Sequence, residues 1–198
     1  MTDTAVVFEK VGKTAVITLN RPRKKNALDR SIRDALPAAI EAAREDDSVR
    51  CVVLTGAGGD FCSGADLKAA PGEGEKAFAG RDVVGLARAK EIVFSAREIA
   101  ADEALELGLV QAVVAAERLR DAALEFARRF DDAPTRALGL AKGILNRSFE
   151  TDRHAMTQME AAAQSLCAAS DFHVEAVRRF GSREAPLFGG AALLPPCG

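Results

Sequence analysis

An α/β fold is predicted for this chain of 198 residues. Three observations predict it. Two β-prone runs near the N-terminus flank a tight turn, and a third apolar run feeds a glycine-rich turn. Nearly everything beyond is patterned as helix. The chain is long enough for one sizeable core with a helical appendage.

Ala5-Val6-Val7-Phe8-Glu9 is β-prone, Val11-Gly12-Lys13 turns, and Thr14-Ala15-Val16-Ile17-Thr18-Leu19 is β-rich again, so residues 5–20 read as a hairpin. Pro22 cannot donate to a ladder and ends the strand. Asp29 is placed to cap a helix reaching Arg44, with Ile32, Leu36, Ala39, Ile40 and Ala43 at helical spacing. Pro37 removes a hydrogen bond inside it and should kink it. Val49 to Thr55 reads as a buried strand. It runs into Gly56-Ala57-Gly58-Gly59-Asp60-Phe61-Cys62-Ser63-Gly64, and a helix start is expected at Asp66. A strand, a glycine turn and a helix in series gather free backbone N–H groups where a phosphate or an oxyanion could sit.

Pro71, Gly72, Gly74 and Gly80 among charged residues predict a surface loop over 69–82. Helices follow over 84–94 and 101–107, the second closed by Gly108 in a left-handed cap. A short strand is expected over 109–114. An amphipathic helix over 117–130 should bury Leu119, Ala123, Phe126 and Ala127. Pro134 can begin a helix ending near Asn146, and two more are expected over 154–169 and 172–180. The organisation expected is a core over 1–114, a helical region over 115–188 and a loose tail over 189–198.

Composition narrows the function classes. The formal net charge of -2 gives no field for nucleic acid, and no apolar run is long enough to span a bilayer. The N-terminus lacks the basic start and apolar core of a secretory signal. Cys51, Cys62, Cys167 and Cys197 have no metal-ligand spacing, so a reducing, cytoplasmic setting is expected. His154 and His173 lack metal spacing too, and no metal is expected. Cys62 has no histidine near it in sequence to make a nucleophilic pair.

Several segments in series resemble the enoyl-CoA hydratase/isomerase (crotonase) family. Ile17-Thr18-Leu19-Asn20-Arg21-Pro22 followed by Lys25-Asn26-Ala27-Leu28 is similar to its opening signature. Val52-Val53-Leu54-Thr55-Gly56 with Phe61-Cys62-Ser63-Gly64-Ala65-Asp66-Leu67-Lys68 is similar to its first oxyanion turn. Residues 101–110 resemble a later helix-to-strand segment. The resemblance covers residues 5–70 and roughly 83–185. It implies a ββα spiral followed by a helical region that drives trimerisation, hence a homotrimer or a pair of trimers. In the family, a second glycine turn and the acid/base glutamates come after the first turn. Here a short polar loop joins Lys68 to Val84-Gly85-Leu86, so the middle of the spiral is missing and the fold expected is a shortened one.

The resemblance also implies a chemistry. An acyl-CoA thioester carbonyl accepts two backbone N–H bonds while an enolate forms, and 2-enoyl-CoA is reversibly hydrated. Ala65 supplies one N–H by this resemblance; the second has no counterpart. CoA is part of the substrate, so no separate cofactor is implied. Lys24 and Lys25 lie where the family meets the nucleotide, and Lys68 follows the oxyanion turn; all three are equally ordinary surface charges. Ala27, Ser63 and Leu67 fall along the same CoA-binding backbone. Asp66 matches a position beside the adenine but could simply cap its helix. Phe180 and Arg183 match positions that reach a neighbouring subunit's CoA, although a buried Phe and a surface Arg would look the same. Glu73, Glu75, Asp82 and Glu91 are the nearest acids, and none is assigned a proton-transfer role. Three functions stay open: an acyl-CoA enzyme, a non-catalytic CoA-binding or assembly remnant, and a degenerate product.

Overall fold

The computed structural model describes residues 4–66 and 84–189. They fall into two units. The first comprises residues up to 79 together with 113–131, and the second comprises 80–112 and 132 onward.

The first unit is built on a three-stranded sheet in the order β1-β2-β3. β1 (Val6–Val11) and β2 (Thr14–Leu19) form the expected hairpin, with Val11 opposite Thr14. Gly12 takes φ 60° in the turn, a conformation that favours glycine. β3 (Cys51–Gly56) lies parallel to β2, with Thr14 opposite Cys51 and Leu19 opposite Gly56. A parallel partner needs a crossover, and α1 (Arg30–Glu45) provides it. Asp29 caps α1 as its sequence position predicts, accepting from Ile32 N–H at 3.1 Å. The helix continues through Pro37 to Glu45; Arg33, whose carbonyl loses its partner there, is exposed to water.

β2 is the core. Ala15, Val16, Ile17 and Leu19 are buried irrespective of the face they point to, so both faces of this central strand are covered. α1 packs on β1 and β2, and its Ile32, Ala39 and Ala43 are buried. α4 (Leu119–Arg128) packs on β3 and β2. Its buried residues are Leu124 and Ala127; the expected Leu119 and Phe126 are exposed, because the helix starts after a 3-10 turn at Ala116–Arg118 and shows another face to the sheet. β3 also departs from expectation. Val52 and Leu54 are 48% and 44% exposed, because β3 is the outer strand of this sheet and one of its faces is uncovered.

Of the second unit, α2 (Leu86–Ser95) and α3 (Ala101–Glu106) fall close to their expected ranges. Gly108 caps α3 at φ 73°, while Leu109 N–H returns to Ala104 O at 2.8 Å. Residues 109–114 form no strand: β-prone residues stay irregular without a ladder partner. α5 (Thr135–Leu145) follows Pro134, which is its cap rather than its first residue. α6 (Arg153–Ala168) and α7 (Asp171–Gly181) are capped by Asp152 and Ser170, whose side chains accept from His154 and His173 N–H. α5 packs on α6, and α6 on α7, yet none of the three contains a buried residue.

Candidate functional site

The site forms where two loops of the first unit meet. One runs from Asn20 to Leu28 and includes a 3-10 turn at Pro22–Lys24; the other is the glycine turn from Gly56 to Asp66, with a 3-10 turn at Ala57–Gly59. Each loop follows a neighbouring parallel strand, so β2 and β3 deliver both to the same end of the sheet.

Close packing at the joint explains two of the glycines. A Cβ at Gly56 would collide with the carbonyl oxygens of Asp60 and Phe61 and with Asn26 Nδ2. A Cβ at Gly58, already at φ 78°, would sit 2.5 Å from Pro22 Cβ.

The two loops then run side by side. Ser63 N–H donates to Lys25 O at 3.0 Å and Leu28 N–H donates to Gly64 O at 2.8 Å, while Asp66 N–H donates to Leu28 O at 3.1 Å. These bonds make a parallel bridge between Leu28 and Ala65. Its geometry fixes the direction of one N–H. The Gly64 carbonyl aims at Leu28, and the Gly64–Ala65 peptide is trans. In a trans peptide the N–H points opposite to the C=O. Ala65 N–H is therefore directed away from the Leu28 loop, Ala65 is exposed, and none of the described residues accepts from that N–H. Gly64 precedes it at φ 92°.

Arg21 ties the loops electrostatically. Its guanidinium donates to Ala27 O at 2.9 Å and lies 3.1 Å from Asp29 and 3.5 Å from Asp66. Burial pushes the Asp29 carboxyl up, but the Ser31 hydroxyl, the Ile32 N–H and Arg21 together hold it below its usual range. The Asp66 carboxylate thus faces Arg21 within the joint, while its N–H closes the bridge.

Among the residues singled out from sequence, Lys25, Ala27, Ser63, Ala65 and Asp66 come together here, with Ala27 buried. Lys24, with Arg21 and Arg23, lines a cavity of about 670 Å³ that also includes Asn20 and Ser31. Leu67, Lys68, Glu73, Glu75 and Asp82 lie outside the described residues, as does the expected helix from Asp66. Phe180 is 88% exposed on α7 of the second unit, and Arg183 follows at φ 58°. Glu91, also in the second unit, is gripped by Arg97 at 2.8 Å, and that pairing lowers its pKa. Among the described residues no cluster of His, Cys, Asp or Glu could hold a metal ion.

Two residues of the joint escaped the sequence reading as functional groups: Arg21 and Asn26. Both lie in the opening signature. An asparagine between a strand end and a helix cap is suited to left-handed backbone, and Asn26 has φ 54°.

The family model described as enoyl-CoA hydratase/isomerase matches residues 9–82 and 71–191. The chain belongs to the enoyl-CoA hydratase/isomerase family. The short-chain-enoyl-CoA hydratase of Clostridium acetobutylicum is 26% identical, over 88% of this chain and 94% of that protein. Its alignment runs over 244 residues, longer than this chain of 198, so it bridges family positions that are missing here. Enoyl-CoA hydratase EchA19 of Mycobacterium tuberculosis is 44% identical across 64 residues, 32% of this chain and 24% of that protein. The crystal structure of an enoyl-CoA hydratase/isomerase from Cupriavidus metallidurans has a TM-score of 0.84 at 26% identity, covering 100% of both chains. The crotonase fold is thus present in a chain shorter than its relatives.

Proposed function

We propose that this chain binds acyl-CoA thioesters at the Ala65 turn, with the thioester carbonyl accepting from Ala65 N–H. The observation that carries this reading is the outward direction of that N–H, set by the trans Gly64–Ala65 peptide and the Leu28 bridge. A fixed donor of this kind favours a developing enolate oxygen, because it needs no reorganisation when charge appears. The cavity beside Lys24 and Arg23 suits the phosphates of CoA, which multiple cations recognise strongly. By the family resemblance Lys25, Ser63, Leu67 and Lys68 would also meet CoA, and Asp66 would lie beside its adenine.

Within the family reading, the reaction is reversible hydration of 2-enoyl-CoA through an enolate held at Ala65. Hydration also needs a carboxylate to take a proton from water. Glu91 is poorly suited, since a base held in its ionised form by Arg97 has lost proton affinity. A second reading is a non-catalytic module that holds CoA or joins an assembly, and it rests on the family's acid/base glutamates having no counterpart after the first turn of this sequence. A homotrimer or a pair of trimers fits either reading. Phe94, Leu145, Phe149, Val174 and Phe180 are each more than half exposed and would gain from burial against further copies. Phe180 and Arg183 would then meet a neighbouring copy's CoA. A cytoplasmic location suits such a substrate.

Calorimetric titration with acetyl-CoA tests the binding, and loss of the conjugated thioester absorbance of crotonyl-CoA tests the hydration. Ala65→Pro removes the proposed donor and none of the bridge bonds, which belong to Leu28, Gly64 and Asp66. Binding that weakens in Ala65→Pro supports the reading; no binding by the wild-type chain ends it. Turnover that falls about 10²–10³-fold in the variant assigns catalysis. Binding without turnover assigns the non-catalytic module.

A further inference from the structure

We infer that the Asn26 carboxamide positions the Ala65 N–H together with the Leu28 bridge, acting through the glycine turn. The inference rests on the acyl-CoA reading above and assigns that site its support.

Asn26 is 0% exposed, held between the two loops. Its Oδ1 accepts from Arg21 N–H at 2.8 Å. Its Nδ2 donates both protons, to Ala57 O at 2.9 Å and to Asp60 O at 2.7 Å. The side chain therefore fixes the start of the glycine turn, and the backbone on either side of it, at Lys25 and Leu28, fixes the end at Ser63, Gly64 and Asp66. Only Phe61 and Cys62 lie between the two anchorages. The tilt of the Gly64–Ala65 peptide, and so the aim of its N–H, follows from both. The Gly56 backbone packs closely beside Nδ2, since a Cβ added there would lie 2.6 Å from it.

The chemistry selects asparagine. Aspartate has the same shape but is acceptor-only when ionised, so it would set an oxygen against two carbonyl oxygens. Glutamine adds a methylene to a site with no exposed surface. The same residue follows Lys24 and Lys25, so the basic turn and the N–H donor share one rigid joint. Displacement of either loop is passed to the other through Asn26.

The test uses the full chain labelled with ¹⁵N and compares wild type, Asn26→Asp and Ile32→Val. Ile32→Val truncates a buried residue on α1 and serves as a control for general destabilisation. Amide exchange of Leu28 and Asp66 is measured at urea concentrations that equalise global stability. The inference expects exchange at least tenfold faster in Asn26→Asp and unchanged in Ile32→Val. Acetyl-CoA is then titrated in. The Ala65 amide resonance should move in wild type and in Ile32→Val, and should not move in Asn26→Asp. If Asn26→Asp does not fold, Asn26→Ser keeps one donor and should show smaller changes in the same direction. Exchange in the Asn26 variants equal to the control overturns the inference, as does an Ala65 shift of wild-type size in them. A wild-type Ala65 resonance that ignores acetyl-CoA ends the acyl-CoA reading instead, while the exchange comparison still decides what Asn26 positions.

Discussion

Gly56→Ala is the most demanding substitution this structure offers at the joint. The added Cβ would meet two backbone carbonyl oxygens, of Asp60 and Phe61, and the amide nitrogen of Asn26. Backbone atoms cannot rotate aside as a flexible side chain can, so the glycine turn must shift. Forcing a methyl group into close packing costs about 1–3 kcal/mol. The shift also strains the two bonds from Asn26 Nδ2, and leaving a buried donor unpaired costs about 1–3 kcal/mol more. Together these give about 2–6 kcal/mol, which in a chain of this size lowers the melting temperature by roughly 4–24 °C. Two controls isolate the clash. Gly139→Ala, in α5 with nothing within 4 Å of the new Cβ, should stabilise by about 0.5–1 kcal/mol. Gly12→Ala meets no atom within 4 Å but must adopt φ 60°, and should cost about 1–2 kcal/mol. Thermal and urea unfolding read all three. A Gly56→Ala protein melting within 2 °C of wild type would refute the packing of the joint.

Removing the Asp29 side chain (Asp29→Ala) strips the α1 cap and should cost about 1 kcal/mol in urea unfolding. Asp46 should be visible in the acid limb of stability: hydrogen bonds from Lys10 and then Ser48 bring its pKa from 3.8 to about 2. Because the folded value is the lower one, its contribution is complete above pH 4 and is lost as pH falls towards 2. Asp46→Asn should therefore flatten the urea midpoint profile between those limits; an unchanged profile would show that the Lys10 contact is idle. Arg97→Ala frees Glu91 and Glu103, whose resonances should then titrate at higher pH.

The sequence pattern anticipates the hairpin, α1 with its Asp29 cap, and the helices of the second unit closely, because each is set by local periodicity, capping and turn chemistry. What it misses depends on partners distant in sequence. β3 reads as buried because Cys51-Val52-Val53-Leu54 is uniformly apolar, yet a strand is buried only if neighbours cover both faces. Residues 109–114 read as a strand for the same reason and lack a ladder. The inward face of α4 is rotated because several apolar stripes are available on it and only packing selects one. At the site, Ala65 is legible through the resemblance of residues 61–68 to the family's first oxyanion turn. The role of Asn26 is not, since a carboxamide reaching Ala57 and Asp60 spans more than 30 positions of chain.

The most direct measurement is a crystal structure of the chain with acetyl-CoA. The account predicts the thioester oxygen at about 2.7–3.1 Å from Ala65 N, as for a preorganised oxyanion donor, with the CoA phosphates beside Lys24 and Arg23. A nucleotide bound elsewhere, or a carbonyl turned away from Ala65, would contradict it.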